Sequence, residues 1–228
     1  MEIKLLQTGP LGVNTFIVPL AKDKVFVVDP ASCAYSGDER IVSRYLAQEK
    51  LEPLAIVLTH GHFDHVAGLP FLSKTYPDIQ IVIHKDDAEM IGADSGRLQG
   101  QSLAQMGFYD FTKSVSLLPE PTSFLEANKT LADCIKTDDE GVKVALSLWE
   151  VLHTPGHTRG SCCLYNETEK LLISGDTLFF QSWGRTDLYG GSESQIRQSL
   201  RYLAKTVTDD TRVYPGHDDI GFLFAENY

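Results

Sequence analysis

Hydrophobic residues recur along this chain in short blocks of strand length: TFIVPL, KVFVVD, AIVLTH, IQIVIH, LSLWEVLH, SCCLYN, KLLISGD and TRVYPGH. Their length and their Val, Ile, Leu and Phe content predict buried strands rather than helices. Between some of them the period changes. GDERIVSRYLAQEK sets Ile41, Val42, Tyr45 and Leu46 on one helical face. SESQIRQSLRYLAKTV opens with Ser192 and Gln195 at capping-box spacing and continues with Ile196, Leu200 and Leu203. VAGLPFLSKTY and DDAEMIG carry weaker helical patterns. Residues 95–130 have no clean period and read as a mixed helical and loop insertion, and TDDEG at 137–141 reads as a hairpin turn. No fixed-period repeat, low-complexity tract or linker divides the chain. Strands mixed with helices over 228 residues therefore predict one layered α/β or α+β domain, residues 1–228.

Composition narrows the function classes. A net charge of −11 repels phosphate backbones and argues against a nucleic-acid partner. The apolar runs fall short of a membrane span, and MEIKLLQTGPLGV lacks the pattern of a signal peptide. The four cysteines, Cys33, Cys134, Cys162 and Cys163, show no CxxC spacing, which predicts free thiols and a reducing cytoplasm. Cys162 and Cys163 are adjacent, so in a strand they face opposite ways.

Five of the apolar runs end in polar groups: VVDP, VLTHGHFDH, VLHTPGHT, LISGDT and VYPGH. Sites of sheet proteins form at strand ends, where loops carry the chemistry and strands hold them rigid. HGHFDH gathers His60, His62, Asp64 and His65 in a chain with only seven histidines. Imidazole and carboxylate are ligands for zinc, iron or manganese. In an extended loop His60 and His62 would serve one metal, and Asp64 and His65 a second. TPGHT and YPGHD place His157 and His217 after Pro-Gly corners, whose glycines fit the positive-φ position of a type II turn. SGDT supplies Asp176, whose two oxygens can bridge a pair of metals. His60, His62 and His157 thus group around one ion and Asp64, His65 and His217 around another, with Asp176 shared. Two ions held so close can hold a bridging hydroxide and polarise a carbonyl oxygen, with Asp64 placed to orient the hydroxide and take its proton. His153, cut off from a helical pair with His157 by Pro155, reads as a supporting or surface residue. His84 reads as structural.

HGHFDH, PGHT, SGDT and PGH in this order resemble the metallo-β-lactamase superfamily. The resemblance runs from about the first strand to residue 218, with no ligand position missing. It implies a four-layer αββα sandwich with metals at one edge of its sheets. Within that superfamily, GPLGVNTFIV, VVDPAS and GRTDLYGG are most similar to small glyoxalase II (hydroxyacylglutathione hydrolase) proteins, which cleave the thioester S-lactoylglutathione. The larger members carry a C-terminal helical domain that helps bind glutathione. This chain ends soon after His217, so that domain is expected to be absent. The resemblance implies two divalent ions, zinc or else iron or manganese, and a small acyl-thiol substrate. It gives Arg185, Trp183 and Tyr189 as candidates for the substrate mouth, and Asp29 and Asp187 as residues that support the ligands. Arg185 reads equally as a cation paired with a neighbouring carboxylate.

GRTD also resembles persulfide dioxygenases of the same superfamily, which use a single iron. A non-catalytic metal protein is the third class, but structural zinc sites are closed and often rich in cysteine. A β-lactamase proper would be exported, and a tRNA-processing nuclease would carry a basic surface. A lactonase would place tyrosine three residues after Asp176, where this chain has Phe179.

Overall fold

The computed structural model describes residues 1–227. Its first half folds into a six-stranded sheet, β1 (Lys4–Thr8), β2 (Val13–Pro19), β3 (Lys24–Val28), β4 (Glu52–Val57), β5 (Gln80–His84) and β6 (Ser123–Leu125), in sequence order. The first three strands form an antiparallel meander. The pairings from β3 to β6 are parallel, and helical connections carry the chain back each time. Those connections contain α1 (Ile41–Glu49), α2 (Phe63–Val66), α3 (Leu69–Thr75) and α4 (Ser95–Met106). Two further helices, α5 (Leu131–Cys134) and α6 (Glu140–Ser147), lead into the second half.

The second sheet uses β7 (Glu150–His153), β8 (Cys162–Asn166) and β9 (Leu171–Gly175), then β12 (Arg212–Pro215) and β13 (Phe222–Leu223), in the order β13-β12-β9-β8-β7. A small ribbon, β10 (Leu178–Phe179) and β11 (Ser182–Trp183), precedes α7 (Glu193–Thr206). The parallel β9–β12 pairing is bridged by α7, whose N-terminus is capped where Ser192 Oγ accepts from Gln195 N.

Strand alternation sorts the core into three apolar layers. Val25 and Val27 face the helical side with Val42, Leu46, Phe63 and Leu69. Phe26 and Val28 face the opposite sheet and meet Trp149, Val151, Cys162, Leu164 and Ile173. Leu152, Cys163, Leu172 and Val213 turn outward onto Leu203 of α7. The result is the αββα sandwich, and Cys162 and Cys163 do lie on opposite faces of their sheet.

Three expectations about local structure change. TDDEG is no hairpin turn: Asp139 Oδ1 accepts from Gly141 N and Val142 N and caps α6. That helix takes the start of LSLWEVLH, so the strand begins only at Glu150, after the fully buried Trp149. DDAEMIG forms part of a 3₁₀ turn, Lys85–Met90, rather than an α-helix. Residues 95–130 are the mixed region expected: α4, a 3₁₀ turn at Tyr109–Ser114 and β6.

Candidate metal centre

The loops that follow β4, β7, β9 and β12 meet along one edge of the two packed sheets. His60 and His62 leave the end of β4 in extended backbone. The chain then coils into α2, so Asp64 and His65 are helical rather than extended. His60 and His62 still fall in one cluster and Asp64 and His65 in another, although His60 and His65 also cluster with Asp29; the separation comes from a helical turn of about 100° per residue, not alternation.

Two groups of side chains result. His62 Nδ1 lies 2.8 Å and His60 Nε2 3.2 Å from His157 Nε2. His65 Nε2 lies 3.2 Å from His217 Nε2, which is 3.3 Å from Asp64 Oδ2. Asp176 stands between them, with Oδ1 3.4 Å from His65 Nε2 and Oδ2 3.5 Å from His157 Nε2. In each three-residue group all ligand atoms lie within 4.8 Å of one another. Nitrogens bound tetrahedrally at about 2.0–2.1 Å to zinc would stand roughly 3.3 Å apart, so the donor set fits an ion with little movement. The buried Asp176 Oδ1 also accepts no hydrogen bond from any described residue.

Three of the outer ring nitrogens are held from behind, whereas the buried His62 Nε2 finds no partner among the described residues. His157 Nδ1 donates to Arg185 O at 2.7 Å, His65 Nδ1 bonds Asp29 Oδ2 at 3.0 Å, and His60 Nδ1 meets Thr59 Oγ1 at 3.1 Å. Such partners set which nitrogen carries the lone pair. Asp29 also accepts from Thr59 N and Thr59 Oγ1, at 2.8 and 2.6 Å, and so ties the start of the HGHFDH loop to β3. Its oxygens thus meet backbone, hydroxyl and imidazole, and it also clusters with His60 and His65.

Burial keeps His60, His62 and His157 neutral, with His62 lowered to about 3 and His157 to about 4. His65 is the opposite case. Burial disfavours its charge, but Asp176, Asp64 and Asp29 together raise it to about 10. The carboxylate charge that would hold a proton there is the charge that a cation would balance.

The two Pro-Gly-His corners differ. Gly156 has φ +140°, and a Cβ there would come within 2.2 Å of Ile196 N in α7. Gly216 is not in the left-handed region. It is small because a Cβ would stand 2.3 Å from Asp176 Oδ1 and 2.7 Å from His65 Cε1. The second corner needs space at the centre, not a positive φ.

A pocket of about 360 Å³ opens over the two groups, lined by His62, Asp64, His157, Asp176 and His217 together with Leu11, Phe63, Met106, Phe179, Gly184, Arg185, Leu188 and Asp218. Arg185 reaches this lining, but its guanidinium is paired with Asp187 at 2.7 and 2.8 Å, so both candidates form an exposed ion pair. Asp187 touches Arg185 rather than a ligand. Trp183 and Tyr189 are not in the lining. Trp183 lies under the Arg197 guanidinium, and Tyr189 bonds Glu89 while Arg159 covers its ring. Nor does His153 support the centre: it stacks on His84 at 4.1 Å and 13°, and its Nε2 donates to Arg159 O. With Asp86 this pair makes a further histidine–carboxylate group, in which His153 Nε2 is engaged by Arg159 O and His84 Nδ1 accepts from Asp86 N. The apolar wall escaped sequence reasoning. Phe63, Leu11 and Leu188 sat inside quoted motifs without being singled out, while Met106 gave no signal at all.

Chain-wide comparison agrees with this geometry. A family model for the metallo-beta-lactamase superfamily matches residues 8–217, and the chain belongs to that superfamily. A probable metallo-hydrolase of Bacillus subtilis, YqgX, is 29% identical over 95% of this chain and 90% of its own length. A hydroxyacylglutathione hydrolase of Chromohalobacter salexigens is 32% identical over 87% of this chain, which spans 58% of that protein. Among solved structures, the B3 metallo-beta-lactamase BLEG-1 matches with a TM-score of 0.80 at 26% identity, covering 99% of this chain and 95% of that one. TTHA1623 in a di-iron-bound form matches at 0.72 and 27%, covering 98% and 96%.

Proposed function

We propose that this protein is a metal-dependent hydrolase that cleaves a small acyl-thioester, S-lactoylglutathione or a related acyl-thiol. The observation that carries the reading is Asp176, half-buried between the two candidate ligand groups with its buried Oδ1 unbonded. His60, His62 and His157 would hold one ion, Asp64, His65 and His217 the other, and Asp176 both. When bound, the ions, zinc or else iron or manganese, supply Lewis acidity toward a carbonyl and water activation at neutral pH. The di-iron form of TTHA1623 supports iron as a candidate beside zinc.

The chain's own residues do the rest. Asp64 faces the pocket and is the carboxylate placed to orient the attacking water and take its proton. Leu11, Phe63, Met106, Phe179 and Leu188 give the pocket an apolar wall, and a substrate seated against it would displace water and strengthen the charge interactions inside. No lysine or tyrosine lines the pocket. A thioester needs neither, because a thiol of pKa about 8.5 leaves readily as the thiolate. The apolar wall suits an aliphatic acyl or thiol arm. The carboxylates of glutathione would need a cation, and Arg185 could serve only by releasing Asp187. Four free, buried cysteines favour a reducing compartment such as the cytoplasm. Among the described residues no helix is long and apolar enough to cross a membrane.

Elemental analysis paired with turnover of S-lactoylglutathione and of an uncharged acyl-cysteamine thioester tests the reading. Two ions per chain with hydrolysis of either ester supports it. One iron per chain with oxygen uptake on a glutathione persulfide would replace it by the dioxygenase suggested by GRTD.

A further inference from the structure

Strand β5 ends at His84 and turns at once into the 3₁₀ segment Lys85–Met90, from which Asp87 points inward with 1% of its surface exposed. Its Oδ2 accepts from Gly61 N at 3.0 Å and from Thr158 Oγ1 at 2.6 Å. Its Oδ1 accepts from Gly160 N at 2.7 Å. Gly61 separates His60 from His62, and Thr158 and Gly160 follow His157. The all-histidine group is therefore built from two loops far apart in sequence that share one buried carboxylate.

The glycines of both loops point to the same turn. A Cβ on Gly61 would stand 2.7 Å from Met90 Cβ, and one on Gly160 would stand 2.7 Å from Asp87 Cγ. Each loop thus presses bare backbone against the 85–90 turn. All three contacts to Asp87 are donors, which favours the carboxylate, while burial works the other way and is the larger influence.

We propose that Asp87 is a positioning residue that braces the two loops of the histidine group from behind and holds them in ligand geometry before any ion arrives. It touches neither ligand side chains nor the pocket. The proposal rests on the metal-centre reading for its consequence, but the bracing itself concerns the metal-free chain.

Asp87→Asn tests it, because an amide keeps the shape yet can accept on one side only, leaving Gly61 N or Gly160 N unpaired. Chelator competition should show the first ion bound about 10–100-fold more weakly, the scale for loss of a partner behind a ligand. In the metal-free protein, amide exchange at Gly61 and Gly160 should rise while β8 and β9 stay protected. Gly160→Ala should act in the same direction by pushing on Asp87. Unchanged affinity and exchange in Asp87→Asn would overturn the proposal. So would a fall in Tm with exchange raised evenly through the chain, since that marks a generic core residue. If Asp87→Asn does not fold, Thr158→Val, which removes one donor, decides by the same two readouts. If the wild-type chain binds no ion, the metal-centre reading fails, and exchange at the two glycines still decides the bracing.

Discussion

The two ligand groups share Asp176 but are built differently. His60, His62 and His157 are buried, all imidazole and kept neutral by burial. Asp64, His65 and His217 carry carboxylate charge, with Asp29 behind His65, and the His217 side chain is 20% exposed to the pocket. The first is the more closed socket, although its His62 and His157 also line the pocket. The second is more charged and, through His217, more open to the pocket. The contrast teaches that one ion would be held chiefly by the scaffold while the other would sit nearer to exchange and chemistry.

The largest effect should come from removing what the groups share. Asp176→Asn keeps one coordinating oxygen but loses the second, and with it a negative charge beside two cations. Thioester turnover should fall about 10²–10³-fold, the scale for removal of a main electrostatic element. His153→Ala, stacked on His84 outside the centre, should leave turnover near wild type. An active Asp176→Asn beside an inactive, metal-free His153→Ala would break the assignment.

Next in size is the difference between the groups themselves. His62→Ala should lose the closed site and His217→Ala the open one, each by elemental analysis leaving a single ion, with the far-ultraviolet circular dichroism of the sandwich retained. In the wild type, stopped-flow chelation should release the ions in two phases about tenfold apart, the faster absent from His217→Ala. A single phase would mean that exposure does not separate the two.

A smaller effect belongs to the wall of the open side. Phe179 lies 6.4 Å from the His217 ring, so Phe179→Ala should raise KM about tenfold with kcat little changed, the scale of one apolar contact in a pocket. Trp183→Ala, outside the lining, should alter KM by much less. The reverse order would restore Trp183 to the substrate mouth.

The smallest expected effect lies away from both groups. His84 is lowered to about 4, first by burial and then by stacked His153 and by Lys85, with Asp86 opposing. Its unfolded pKa is near 6.5. The neutral ring thus adds stability that is fully present above pH 6.5 and is lost as pH falls through 4. His84→Gln should flatten the decline of Tm over that window by a few degrees relative to wild type. Parallel curves would show that His84 does not titrate with folding.

Much of this was legible because it is written locally. Alternation in KVFVVD and SCCLYN places alternate residues on opposite faces, whatever lies beyond. The capping pattern at Ser192 set the start of α7. TDDEG failed because turn residues and helix caps use the same chemistry, and only the packing of Val142 and Leu146 decided between them. The ligand candidates were legible because histidine and aspartate at strand ends are costly to bury without a partner.

What the chain determined by itself is the inventory of candidate ligands and the strands that carry it, since both follow from residue type and period over a few neighbours. The tertiary structure alone decided which residues stand behind those candidate ligands and which side chains line the pocket. Trp183 and Tyr189 looked like a mouth because they flank GRTD, yet they turned to Arg197 and Glu89. Leu11 and Met106, from β1–β2 and α4, closed the pocket instead. Asp87 lay in an unremarked DD pair until folding set it between two loops of the other motifs. Such contacts join segments tens of residues apart, and no local period records which of them will meet.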